Sequence, residues 1–167
     1  IQKNNAKFNK IKIIGKNVFI STDIKHNCKI FAHENSSIWF STILNSPDEK
    51  GLVILGKGSN IQDNSILNTN GKKIEIGQRV TIGHNVIING NVLICNDAVI
   101  GMGSILEKNC IVEKGGFVGA KSYVLKNTIV PKGKIYAGNP ARFFRNVTSK
   151  EKNYFSIGQK FMKNFLK

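Results

Sequence analysis

The chain has 167 residues, 41% hydrophobic but only 8% aromatic, which suits one domain with an aliphatic core. Its formal charge is +15, from 25 Lys and Arg against 10 Asp and Glu, and no apolar run reaches the ~18 residues of a membrane-spanning helix. Three cysteines, Cys28, Cys95 and Cys110, are too scattered for a disulfide framework or a Cys-based zinc motif, which implies a reducing compartment.

The positive excess is almost all Lys, with Arg only at Arg79, Arg142 and Arg145. Specific nucleic-acid readers favour the planar Arg fork and interleave stacking aromatics, and neither pattern is present, so nucleic acid is excluded as a partner. The counts of 24 Ile, 22 Lys and 21 Asn read as coding bias from an AT-rich genome, with solvated Lys on the surface. The same excess is compatible with an anionic membrane surface or an acidic partner. In chain order, residues 1–13 form a basic arm, and residues 1–22 carry five Lys and no acid. A start at Ile1 fits a processed organellar chain and, equally, a sequence that begins partway along a longer one.

From there a six-residue repeat organises the sequence. Ile14 and Ile20 carry its spacing, residues 26–50 are less regular, and an excursion is expected at Ser46–Gly51. Leu55, Ile61 and Leu67 hold the phase, which then slips by three residues, so the segment from Asn68 to Ile74 is expected to loop out of the coil. The unbroken series follows: Ile76, Ile82, Ile88, Ile94, Ile100, Leu106, Val112, Val118, Val124, Val130 and Tyr136. An amphipathic helix repeats its apolar positions at three and four, not six. Four residues after most hits stands a small or β-branched residue, and Gly directly follows several of them. Hexads of this kind make a short strand and a corner, and three of them close one triangular turn of ~18 residues whose coils stack at strand spacing. The fold class is all-β, a parallel β-helix over 14–140. The repeat ends at Ala137-Gly138-Asn139-Pro140, where Pro removes a ladder donor. Residues 141–167 form a linker and a C-terminal α-helix, opened by a capping box of Thr148 and Glu151. Tyr154, Phe155, Phe161, Met162, Phe165 and Leu166 recur at helical spacing and require cover from the prism wall or another subunit.

Several stretches resemble the gamma-class carbonic anhydrases: Ser37-Ile38-Trp39-Phe40, Ser59-Asn60-Ile61-Gln62-Asp63-Asn64-Ser65, Thr81-Ile82-Gly83-His84-Asn85 and Ile100-Gly101-Met102-Gly103-Ser104. The resemblance covers nearly all of residues 14–150 and implies a left-handed β-helix that assembles as a trimer. In that family three His bind one zinc at each subunit interface, two from one chain and one from its neighbour. The position of the first is Asn68, the second is kept as His84, and the third is Asn89. The family's Arg-Gly-Asp triplet, which holds the trimer and orders the site, is replaced by Asn45-Ser46-Pro47, whereas the pocket residues Gln62 and Asp63 are retained.

A catalytic zinc takes about three protein ligands and an open position for water, and a neutral carboxamide is a poor substitute for imidazole. A homotrimer would offer one imidazole per site, which implies no zinc cofactor and no CO2 hydration. In a mixed trimer, His84 could complete a zinc site whose other two His come from an intact homologue. An isolated His in a repeat turn otherwise reads as a polar corner residue. His26 and His33 match no ligand position and read as surface or corner residues, and Cys110 occupies a small core slot. The resemblance therefore implies a non-catalytic structural subunit of a homotrimer or heterotrimer with homologous subunits. Its precedent is the carbonic-anhydrase-like module of mitochondrial respiratory complex I, a membrane complex, on the matrix side of the inner membrane. A bacterial source would instead place the chain in the cytoplasm. Three other readings stay open: a carbonic anhydrase with altered ligands, a hexapeptide-repeat acyltransferase or thioesterase with His84 as general base, and a binding module for an organic anion.

Overall fold

The computed structural model describes residues 10–152. They wind into a left-handed parallel β-solenoid of about seven turns, with three flat faces of seven, eight and six strands. The first face begins at Ile11–Ile14, the second at Phe19–Ile20 and the third at Lys25–His26, and each strand except the last of the second face pairs with the one a full turn away. Ile76 aligns with Ile94 and Val112 with Val130, steps of 18 residues (94 − 76 and 130 − 112).

The aliphatic hits form three stacked columns inside the prism. Ile38, Ile61, Ile82, Ile100 and Val118 make one; Leu44, Leu67, Ile88, Leu106 and Val124 make another; Leu55, Ile76, Ile94, Val112 and Val130 make the third. All are buried to within 1% of completely. Such burial contributes about 1.5–3 kcal/mol per side chain relative to exposure, so the columns supply most of the driving force. Small hydroxyls fill the corners and bind the coils together. Ser59 Oγ, for example, donates to the Gly77 carbonyl at 2.6 Å and accepts from the Val80 amide at 2.9 Å.

Corners require backbone in the left-handed region once per hexad. Among the described residues twelve that are not glycine adopt it, and seven of these are Asn: Asn17, Asn35, Asn64, Asn70, Asn85, Asn109 and Asn127. Asn tolerates that region better than other L-residues because its short amide can bond locally. Part of the asparagine content thus has a structural cause that composition alone does not show. At Gly101 the constraint is proximity: a Cβ there would lie 2.5 Å from the Ala120 amide nitrogen of the next coil.

The early coils depart from the expected pattern in three places. The hexad phase runs through residues 26–44, because His26 and Ala32 hold inward slots beneath Leu44 and Leu55. His26 is therefore neither a surface nor a corner residue but a half-buried member of a core column at its open end. Ile13, not Ile14, aligns with Ala32, since the first coil carries one extra residue at the Gly15 corner. The expected loop from Asn68 to Ile74 shrinks to Thr69–Lys72. Asn68 ends one strand, and Lys73 and Ile74 already pair with Leu52 and Val53, so the three extra residues fit within a single turn at Asn70 and Gly71. The excursion at Ser46–Gly51 is present, tied by Ser46 Oγ donating to Asp48 Oδ1 at 2.7 Å and accepting from the Gly51 amide at 3.0 Å.

After Asn139-Pro140 the chain reverses, and Ala141–Asn146 pairs antiparallel with Lys134–Gly138 across the end of the second face. Thr148 Oγ1 then accepts from the Glu151 amide at 3.3 Å, while Glu151 accepts from the Thr148 amide at 2.8 Å, a reciprocal capping box at the start of a short helix. Arg145 and Thr148 hold the Glu151 carboxyl down to about 2. The aromatic positions from Tyr154 onward lie outside the described residues. Because the cores of successive coils share one column, Leu67→Ala is expected to lower stability by about 2–5 kcal/mol, read as a shift of the urea denaturation midpoint.

Candidate functional site

Side chains alternate along a strand, so the residue after each inward Leu or Ile of the third face points outward. On three successive coils that residue is Asn: Asn45, Asn68 and Asn89 stand in register, and Glu107 follows one 18-residue coil later (107 − 89). The amides link in one direction. Asn45 Nδ2 donates to Asn68 Oδ1 at 3.5 Å, Asn68 Nδ2 to Asn89 Oδ1 at 3.0 Å, and Asn89 Nδ2 to Glu107 Oε1 at 3.4 Å. Tyr123 Oη donates to the same Glu107 oxygen at 3.2 Å, and that hydrogen bond to the carboxylate raises the phenol above its ordinary value. The strip is half-buried.

His84 stands at the opposite end of the same face, on the corner after Ile82. Its Nδ1 lies 3.5 Å from Asp63 Oδ2 of the coil beneath, with the two side chains 45% and 37% exposed. Asp63 Oδ1 accepts from the Phe40 amide at 3.2 Å, which fixes the carboxylate under the imidazole. Gln62 contributes its backbone to the ladder, its amide donating to the Ile82 carbonyl at 3.0 Å. Phe40 and Met102, exposed on the neighbouring coils of this corner, flank the pair.

His84 lies on the turn that precedes the strand Ile87–Asn89, and Asn89 ends that strand, so at least the strand's length, on the order of 7 Å, separates them. No single ion can be bound by both within one chain, since zinc–nitrogen bonds are ~2.0–2.1 Å. The structure brings Asn68 and Asn89 together and leaves His84 apart from them. The donor chemistry does not fit zinc either. Each carboxamide already accepts from one neighbour and donates to the next, and the described residues contain no cluster of three His, Cys, Asp or Glu.

The remaining candidates are structural. His33 ends a strand of the first face, and its carbonyl accepts from the Ser36 amide at 3.1 Å. Burial raises the Cys110 thiol and pushes Cys28 up to about 11, so both are inert as thiolates at neutral pH. Sequence reasoning missed Glu107 and Tyr123 as members of the strip. The signal was present in the phase: Glu107 follows Leu106 as Asn89 follows Ile88.

No family model matches the chain. Two plant proteins from Arabidopsis thaliana are similar to it: gamma carbonic anhydrase 2, mitochondrial, at 34% identity over 91% of this chain, and gamma carbonic anhydrase 1, mitochondrial, at 36% over 89%. The chain spans 59% and 56% of their lengths. Among solved structures, a hexapeptide transferase family protein from Anaplasma phagocytophilum is 30% identical, with a TM-score of 0.70 and 95% of both chains covered.

Removing the middle of the strip should be felt on both sides. Asn89→Ala is expected to lower stability by about 1–2 kcal/mol, measured by urea denaturation. Glu107→Gln is expected to return the Tyr123 phenol toward ~10, followed by NMR titration.

Proposed function

We propose that the chain, similar to gamma carbonic anhydrases over about nine tenths of its length, is a gamma carbonic anhydrase-like, non-catalytic structural subunit of a trimer. One observation carries the reading. Two positions that the family resemblance assigns to zinc-binding His are Asn68 and Asn89, and their amides bond to each other between Asn45 and Glu107. Along the strip each amide donates to the next side chain, so an interface built on it needs no ion between Asn68 and Asn89. The family forms trimers. A prism with flat faces and a half-buried polar strip at one end of a face, opposite a His corner at the other, suits that assembly.

Within a mixed trimer the two ends of the face have different roles. The strip forms a metal-free interface. His84, positioned by Asp63, serves the neighbouring interface and completes a zinc site there when the neighbour supplies two His. The mitochondrial names of the similar plant proteins support a mitochondrial location. The family precedent extends the reading to the matrix-side module of respiratory complex I.

The test is a gain of metal. The purified wild-type chain is expected to carry zinc far below one ion per chain and to leave CO2 hydration at its uncatalysed rate. The variant Asn68→His/Asn89→His is expected to acquire about one zinc per chain, a full set of three protein ligands, and to lose it again when His84→Ala is added. Stoichiometric zinc in the wild type, with activity abolished by His84→Ala, would make the protein an enzyme and overturn the reading.

A further inference from the structure

The hairpin that closes the C-terminal end of the prism carries a surface that the trimer reading does not use. Regular alternation along Ala141–Asn146 would bury every second side chain, yet only Ala141 is buried. The register explains why. Tyr136 pairs with Phe143 and Ile135 with Arg145, so Phe144 is the extra residue of a β-bulge. A bulge re-aims side chains and breaks the two-sided pattern. Phe143 and Phe144 are left 55% and 65% exposed, side by side on the last strand of the ladder.

Cations surround them. Residues 131–152 contain Lys132, Lys134, Arg142, Arg145, Lys150 and Lys152 and a single acid, Glu151, which is engaged by Arg145 at 2.6 Å. Lys134 Nζ lies 5.5 Å from the centre of the Phe143 ring, and the Arg145 guanidinium 5.8 Å from that of Phe144. Lys134 Nζ also donates to Asn146 Oδ1 at 2.6 Å, which holds its charge beside the Phe143 ring.

We infer that this hairpin is a docking site for an anionic phospholipid surface. The charge is complementary, and the shape favours a membrane over an acidic protein: the aromatic pair stands at the end of a prism, on an edge strand. Phe rings entering the boundary between headgroups and acyl chains would leave the flanking Lys and Arg at phosphate level, the arrangement that long basic side chains favour. The attachment is peripheral, since no helix among the described residues is long and apolar enough to cross a membrane. It is independent of whether the trimer binds zinc.

Co-sedimentation of the full chain with vesicles tests it. Wild-type protein is expected to sediment with phosphatidylcholine vesicles containing about one quarter phosphatidylglycerol, and to stay in solution with phosphatidylcholine alone. Binding should weaken toward 1 M salt, where screening shortens to ~3 Å. Phe144→Ser, at the exposed and unpaired bulge position, is expected to reduce partitioning about tenfold, with an unchanged melting midpoint showing that the fold is intact. Lys12→Gln/Lys16→Gln, at the far end of the prism, is expected to bind nearly as well as wild type. Three results would overturn the proposal: wild type left in solution with anionic vesicles, as an acidic protein partner would require; Phe144→Ser sedimenting as fully as wild type; or the Lys12/Lys16 variant losing as much binding as Phe144→Ser, which would reduce the effect to bulk charge.

Discussion

Closure of the triangular coil governs this molecule. Each turn must return its aliphatic residues to the same three columns, one strand spacing above the last, or the hydrogen-bond ladder and the core fail together. From Ile76 to Val130 the chain meets that condition with a fixed step of 18 residues. Earlier it does so with longer steps, 21 from Ile61 to Ile82 and 23 from Ile38 to Ile61, and places the surplus at corners. Buried Ser hydroxyls and left-handed Asn residues make those corners possible, so much of the polar sequence serves the same closure as the Ile columns.

Once the inward columns are fixed, the outward ones follow. Asn45, Asn68, Asn89 and Glu107 share an outward column because Leu44, Leu67, Ile88 and Leu106 share an inward one. The same geometry that could collect metal ligands at the end of this face instead collects carboxamides. Amides stacked at strand spacing bond to one another, and Glu107 accepts at the end of the series. The neighbouring corner keeps the other half of the family pattern, an imidazole over a carboxylate anchored to the Phe40 amide. The face keeps hydrogen-bonded carboxamides at one end and the positioned His at the other, and the described residues bring no three His, Cys, Asp or Glu together there.

The solenoid was legible because aliphatic residues at six-residue spacing admit few other structures, and the motifs that flank Asn68, His84 and Asn89 single out those positions. What escaped the sequence has physical causes. His26 and Ala32 occupy column positions without looking aliphatic, so the second coil seemed irregular although its register is intact. Three extra residues beyond Leu67 suggested a wide loop, but Asn70 and Gly71 turn the chain so tightly that strand resumes at Lys73. The strip depends on which outward residues meet across coils of unequal length, which can be read only once the register of each coil is known. The bulge at Phe144 arises from pairing with Lys134–Gly138, a partner strand that the proline at the end of the repeat did not announce.

The central claim is that the trimer is held without metal at the strip interface. Native mass spectrometry of the assembled particle, before and after exhaustive chelation, tests it most directly. The account predicts a trimer that keeps its mass and subunit composition when zinc is removed, with zinc present only where a homologue supplies two His. A homotrimer holding a zinc at every interface and falling apart on chelation would contradict it.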